Sequence, residues 1–189
     1  LDMATMFEIS PSGRILREAQ PDGSPGPRLA WLGCGEGNVV RVGHTVSETI
    51  ARDVLAMTAN APPWFDHETL PDGFDAILAR LAPETPIQSV GPGPVFALPN
   101  GLAAPGGTEI VSGDTAEGRA WLSDLAAGLW PQPLTDAGFV DAADFWEPWC
   151  VALVGGQVAA LAFAARLGGQ GAELGVYTLE PFRGRGLAA

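Results

Sequence analysis

The chain has 189 residues, of which 47% are hydrophobic, so it is long and apolar enough for one large domain or two small ones with a buried core. A net charge of −12 and a sequence pI near 4.3 disfavour nucleic acid as a partner and would attract cations, amines included. No apolar run approaches the ~20 residues of a membrane span, so we expect no membrane partner. The first residues lack the basic and apolar parts of a signal peptide, and the two cysteines lie far apart. We therefore expect a cytoplasmic protein with reduced cysteines.

The first ninety or so residues predict short elements, but they contain no motif that we can assign to a function. Short apolar-polar stretches at 6–9 and 14–17 predict either a hairpin or a frayed start of the chain, and two further strands are predicted at 28–32 and 38–42. The glycine-rich run Gly33-Cys34-Gly35-Glu36-Gly37 joins the latter two strands. It lacks the full Gly-x-Gly-x-x-Gly pattern and is followed by a strand, so it predicts a hairpin turn rather than a dinucleotide site.

Two helices are predicted next. Thr45 and Glu48 have the spacing of a capping box, and the following residues predict an amphipathic helix to about residue 59. A second helix is predicted over 69–81, with Pro71 in its first turn. The run Gly91-Pro92-Gly93-Pro94 sustains neither helix nor strand, so we place a boundary there between an N-terminal α/β subdomain of unknown role, 1–93, and a second domain, 94–189.

The second domain begins with predicted strands at 95–98 and 109–112, which are separated by a loop at 99–107. A helix should follow Asp114-Thr115-Ala116-Glu117, which again has capping spacing. Its apolar face is formed by five residues: Trp121, Leu122, Leu125, Leu129 and Trp130. We expect Pro131-Gln132-Pro133 to end this helix and a weaker helical pattern to follow over 135–146.

Aromatic residues then crowd a short region, and we interpret them as core packing. They are Trp130, Phe139, Phe145, Trp146 and Trp149. The next two apolar runs, 151–154 and 158–165, suit buried strands, although the alanine-rich second run also fits a helix. The Gly155-Gly156 pair between them favours a hairpin.

The last stretch carries the functional hypothesis. Residues 174–179 predict a strand that Glu180-Pro181 ends, Arg183-Gly184-Arg185-Gly186 predicts a glycine-rich turn, and Leu187-Ala188-Ala189 predicts a first helical turn. A strand, a glycine turn and a helix start present successive backbone N–H groups to an anion, and the helix dipole adds partial positive charge. Glycine lets a phosphate approach the backbone closely, and the two arginines strengthen the preference for phosphate.

These residues resemble a known family. The pattern Arg183-x-x-Gly186-x-Ala188 is similar to the Arg/Gln-x-x-Gly-x-Gly/Ala signature of the GCN5-related N-acetyltransferases, and the preceding hairpin and strand also look like that family. The resemblance covers residues from about 109 to 189. It implies an α/β (α+β) fold with a mixed, mostly antiparallel central sheet flanked by helices, here with the additional N-terminal subdomain. The family continues beyond the phosphate loop with further helices and strands, so we expect a chain that stops at Ala189 to be C-terminally incomplete.

The resemblance also implies site residues. The loop would hold the pyrophosphate of acetyl-coenzyme A, and the strand would pair with the pantetheine arm through its backbone. The implied cofactor-binding residues are Thr178, Leu179, Arg183, Gly184, Arg185, Gly186, Leu187 and Ala188. Glu173, at the start of the cofactor strand, is the candidate general base, while a solvated strand-end glutamate is an equally good interpretation. Tyr177 does not match the position of the family's acid, so the acid stays unassigned.

The expected function is therefore acyl transfer. We expect an N-acetyltransferase that moves an acetyl group from acetyl-CoA, as cosubstrate, to a primary amine of a small molecule or a protein N-terminus. No metal site is expected from two histidines and no Cys-x-x-Cys pair. The resemblance also allows the aromatic-rich segment to form a wall of the acceptor pocket. The alternatives are a non-catalytic acyl-CoA-binding or regulatory module and a purely structural domain, and the sequence leaves homodimerisation open.

Overall fold

The chain folds into two compact units, which we describe from a computed structural model covering residues 3–66, 68–93, 108–169 and 171–187. The first unit comprises residues up to 97 together with 168–171, and the second comprises 98–167 together with 172–189. The described residues form a mixed α/β structure with antiparallel sheets and five α-helices. None of the described helices is both long and apolar enough to cross a membrane.

The first unit contains two separate hairpins and three helices. Helix α1 (Met3–Met6) leads into β1 (Phe7–Ile9), which pairs antiparallel with β2 (Ile15–Glu18). Strands β3 (Leu29–Cys34) and β4 (Gly37–Val42) form the second antiparallel hairpin. Helices α2 (Glu48–Thr58) and α3 (Phe74–Leu81) follow. The second hairpin was predicted from the sequence and is confirmed, including the turn at 33–37 in place of a dinucleotide loop. Of the two alternatives for the first stretches, the structure has the hairpin.

The main core of the first unit lies between α2, α3 and the end of β4. Its buried members are Val42, Val46, Ile50, Ala51, Val54, Ile77 and Leu81. Val46, Ile50 and Val54, whose helical spacing predicted α2, are buried here. Met57, the fourth position of the same pattern, is 44% exposed. Helical spacing therefore located the buried face of α2 correctly over its first two turns.

The second unit is a four-stranded antiparallel sheet with helices in the connection after its first strand. Strand β5 (Glu109–Ser112) is followed by α4 (Ala116–Ala127) and α5 (Gln132–Asp136), and a 3₁₀ turn, Ala142–Asp144, leads to β6 (Trp149–Val154). Strands β7 (Gln157–Leu167) and β8 (Ala172–Thr178) complete the sheet in the order β5-β6-β7-β8. The hairpin predicted at Gly155-Gly156 is confirmed, and both glycines have positive φ, 59° and 76°.

Four of the five clustered aromatic residues pack in the core of the second unit, as predicted. Phe139, Phe145 and Trp149 are at most 5% exposed, and Trp130 packs against them. The Phe139 and Phe145 ring centroids lie 4.7 Å apart, which is a favourable tilted contact.

Local predictions were wrong at the start of α2, at the start of α3 and at the end of α4, and the helical pattern predicted over 135–146 is replaced by α5 and a 3₁₀ turn. Ser47 rather than Thr45 caps α2, since Arg14 binds the carbonyls of Gly43 and Val46 and holds that segment outside the helix. Helix α3 starts at Phe74 instead of residue 69, after Gly73 in a left-handed conformation with φ 78°.

The third error concerns α4, which Thr115 caps through its hydroxyl. Helix α4 ends at Ala127, so Leu129 lies beyond it and is 95% exposed rather than on the buried face. The predicted strand at 95–98, the loop at 99–107, Pro94 and Ala188 all fall outside the described residues.

Candidate functional site

Strand β8 forms one edge of the four-stranded sheet within the described part of the chain. It pairs with β7 from Ala160↔Thr178 to Leu167↔Ala172, with an irregularity between Ala164 and Arg166. On the other edge of β8, the described residues supply no partner strand. Backbone groups on that edge are therefore available to a ligand, as a cofactor that pairs with the strand would require.

The hydrogen-bond pattern shows which backbone groups of β8 face outward. The N–H of Leu179 donates to the Ala159 carbonyl at 2.9 Å, so Leu179 is bonded toward β7. Because antiparallel pairs alternate, the N–H and C=O groups of Val176 and Thr178 point to the open edge. Their spacing along the strand is about 7 Å. Thr178 is thus placed to offer its N–H, whereas its carbonyl accepts from Arg183 Nε and the N–H of Leu179 is already bonded to Ala159.

A single 3₁₀ turn, Glu180–Phe182, connects β8 to the glycine-rich loop. Gly184 and Gly186 have φ of 75° and 72°, a left-handed conformation that favours glycine. The backbone N–H groups of Gly184 and Gly186 donate to no acceptor within the part of the chain that the structure describes, whereas residues 183 and 184 lie in a hydrogen-bonded turn. The loop is exposed, and backbone donors at left-handed glycines suit an anion.

The two arginines of the loop make only weak contacts with their own backbone. Arg183 Nε donates to the Thr178 carbonyl at 3.2 Å, and an Arg185 Nη donates to the Pro181 carbonyl at 3.4 Å. The Arg185 guanidinium also lies 5.2 Å from the centre of the Phe182 ring. Both side chains are exposed, so either can turn toward an anion at low cost.

Glu173 lies at the opposite end of β8, paired with Arg166 on the neighbouring strand. The two residues face each other in the β7–β8 register, and a guanidinium nitrogen of Arg166 donates to the Glu173 carboxylate. Thr178 lies five positions after Glu173, which is about 17 Å along the strand. The ion pair involves one oxygen of the Glu173 carboxylate, Oε2.

Tyr177 is turned away from the open edge. Its side chain packs against the buried aromatic and aliphatic core of the second unit. Leu187 lies in a turn and is half-buried, and the rest of the helical turn predicted there, Ala188 and Ala189, falls outside the described residues.

Sequence reasoning overlooked the outward-facing backbone of Val176. The strand and its length were predictable, but which of its residues bond outward depends on the partner of each one. That information comes from the β7–β8 register and the Leu179–Ala159 hydrogen bond. The Glu173–Arg166 pair was overlooked for the same reason, because the register brings the two residues together.

Comparisons with protein-family models, with curated proteins and with solved structures find no match for this chain.

Proposed function

We propose that this protein is an N-acetyltransferase of the GCN5-related type, which binds acetyl-CoA along β8 and transfers its acetyl group to a primary amine. The observation that carries the proposal is the open edge of β8 running into an exposed, glycine-rich loop with unpaired backbone N–H groups. The element order of the second unit also supports it. A first strand, a helical segment, a hairpin, a further strand and the loop follow one another as the resemblance implies.

Each part of the proposed site has a separate task. The N–H groups of Gly184 and Gly186, together with Arg183 and Arg185, would bind the pyrophosphate. The outward N–H of Thr178 and the outward C=O of Val176 would pair with the pantetheine arm. These contacts lie away from the reacting carbon, and they fix the thioester in position so that binding energy contributes to the rate.

The transfer itself breaks the thioester C–S bond and forms an amide C–N bond. The attacking amine loses a proton to water or a carboxylate, the carbonyl oxygen gains negative charge, and the departing thiolate takes up a proton. The N–H of Val176 is our candidate donor to that oxygen, since it is a strand N–H on the open edge. Among the described residues we assign no acid that would protonate the departing thiolate.

The test is binding of coenzyme A and acetyl-CoA by calorimetry, comparing the wild type with Gly186→Glu and Gly156→Glu. Both glycines are exposed, have positive φ of 72° and 76°, and leave open space for a Cβ. The two substitutions therefore add the same charge and similar backbone strain, but only Gly186 lies in the loop. We expect Gly186→Glu to weaken binding at least about tenfold, a difference of about 1.4 kcal/mol. Equal affinity in both variants, or no binding by the wild type, would reject the site.

A second candidate function is a non-catalytic acyl-CoA-binding or regulatory module. One observation favours it: the only carboxylate that the sequence offered as a base, Glu173, is held by Arg166. This alternative keeps the loop-dependent binding but predicts no amide product. Incubation of the wild type with acetyl-CoA and a panel of primary amines, followed by mass spectrometry, separates the two. An amide product that depends on Gly186 supports the transferase, and binding without any product supports the module.

A further inference from the structure

A cavity of about 660 Å³ lies within the first unit, and the proposed acetyl-CoA site does not use it. Its walls are formed by β3, α3 and the segments 25–28 and 85–92. Clefts that bind small molecules have volumes of about 300–1,000 Å³ and are mostly apolar, and this cavity fits both criteria. Every residue that lines it belongs to the first unit.

Aromatic rings provide much of the wall. Trp31 and Phe74 meet at a ring-centroid distance of 6.4 Å with a tilt of 55°, and Trp64 also lines the cavity. All three side chains are half-buried, and Trp31 also packs against the main core of the first unit. Rigid aromatic surface of this kind binds flat apolar molecules with little loss of side-chain entropy.

Hydrogen bonds from Asn38 fix one side of the cavity. The Asn38 amide nitrogen donates to the carbonyls of Ala61 and Pro62 at 3.2 and 2.7 Å, and its oxygen accepts from the Trp64 N–H at 2.9 Å. Gly33 allows the same segment to approach, since a Cβ there would lie 1.9 Å from the Trp64 carbonyl oxygen. The segment that carries Trp64 is therefore held against the β3–β4 hairpin.

Arg28 fixes the opposite side. Its guanidinium donates to the carbonyls of Thr85 and Leu81 at 2.7 and 2.8 Å and lies 3.5 Å from a carboxylate oxygen of Glu84. With both sides held, the cavity is formed before a ligand arrives, which lowers the cost of binding. Arg28 is the only charged residue among the described lining residues, and these contacts commit its charge. The cavity therefore favours an uncharged ligand.

The Trp31 indole carries a polar group of the kind that orients a ligand in a mostly apolar cleft. Its Nε1–H is buried and has no acceptor within the described residues. Buried tryptophan N–H groups usually find a partner, so this one marks a place for a hydrogen-bond acceptor. The atom has almost no accessible surface, so binding of an acceptor requires the indole ring to shift toward the cavity.

We propose that the first unit binds an uncharged, largely apolar small molecule that carries a hydrogen-bond acceptor for Trp31. The ligand lies between the Trp31, Phe74 and Trp64 rings. Its apolar part replaces water along the walls, and its acceptor pairs with the otherwise unpaired indole N–H. This site is separate from the acetyl-CoA loop, and its existence does not depend on acetyl transfer.

The test uses quinoline and indole as probes of nearly equal size, one with an acceptor and one with a donor. Binding to the full 189-residue chain is measured by ligand-observed NMR titration. We expect quinoline to bind with a dissociation constant of about 1 mM or tighter and indole several-fold more weakly. Trp31→Phe keeps an aromatic wall but removes the N–H, so it should abolish the difference between the probes. A difference that survives in Trp31→Phe, or tighter binding of indole, would overturn the role of Trp31.

Substitutions that fill the cavity test its location. Leu78→Trp adds bulk at a lining position of α3, and Leu55→Trp adds the same bulk at a residue of α2 that is 42% exposed and does not line the cavity. We expect Leu78→Trp to weaken quinoline binding at least about tenfold and Leu55→Trp to leave it unchanged. Should Leu78→Trp fail to fold, Ser89→Trp fills the cavity from an exposed lining position. Equal affinities in the filled and control variants, or no binding by the wild type, would refute the site.

Discussion

Arg14 should contribute far more to the stability of the first unit through buried carbonyls than through its ion pair. The side chain is 10% exposed, and its guanidinium donates to the carbonyls of Val42 and Gly43 at 3.3 and 2.8 Å and also to that of Val46. It also contacts a Glu48 carboxylate oxygen at 2.7 Å, but the Glu48 side chain is 92% exposed.

The magnitudes of the two contributions can be separated. Arg14→Met removes a charged donor from three buried carbonyls, and a hydrogen bond to a charged group contributes about 1.5–3 kcal/mol. The Gly43 carbonyl keeps the Val46 N–H as a second donor at 3.2 Å, so the substitution does not leave all three carbonyls unpaired. Allowing for this donor and for partial access of water, we expect a loss of about 2–4 kcal/mol. Glu48→Gln removes only an exposed ion pair, and we expect about 0–1 kcal/mol.

Hydrogen exchange followed by mass spectrometry is the suitable assay, because a chain of two units need not unfold in one step. Arg14→Met should reduce amide protection in β4 and α2 while leaving β6 and β7 unchanged, and Glu48→Gln should resemble the wild type. Similar losses in both variants would show that the ion pair dominates. An Arg14→Met protein within about 1 kcal/mol of the wild type would refute the reasoning altogether.

Three further predictions concern individual residues. Hydrogen bonding from Ser47, aided by Arg28, holds the pKa of Glu84 in the folded protein below its ordinary value of 4.5. The stability that Glu84 contributes is therefore fully present above pH 4.5 and is lost as the pH falls through the lowered pKa of the folded state. The melting-temperature difference between wild type and Glu84→Gln should therefore shrink in acid, and a difference independent of pH would contradict this. Burial raises the pKa of the Cys150 thiol, so iodoacetamide should label exposed Cys34 first, and faster labelling of Cys150 would argue against the packing of β6. A Cβ on Gly118 would lie 1.8 Å from the carbonyl oxygen of the last residue of β5. Gly118→Ala should therefore destabilise the second unit by about 1–3 kcal/mol, measured by denaturant titration. An unchanged unfolding midpoint would show that α4 can shift to make room for the methyl group.

The sequence by itself determined the elements whose signals are local. Alternating and continuous apolar runs bounded by glycine located the β3–β4 hairpin of the first unit and the β6–β7 hairpin of the second. Helical spacing located α2 and most of α4, and the aromatic cluster was correctly interpreted as core. These signals succeed because side-chain periodicity and turn chemistry depend on residues only a few positions apart.

The tertiary structure decided everything that depends on partners distant in sequence. Arg14 lies 28 to 34 residues from the groups that it binds, and its contacts moved the start of α2 away from the predicted cap. The β7–β8 register paired Glu173 with Arg166 and set which backbone groups of β8 face the open edge. The cavity beside Trp31 needs Asn38 and Arg28 to hold segments that lie 23 to 57 residues away. Local patterns carry no information about such contacts, because the energy that selects them appears only when the chain is folded.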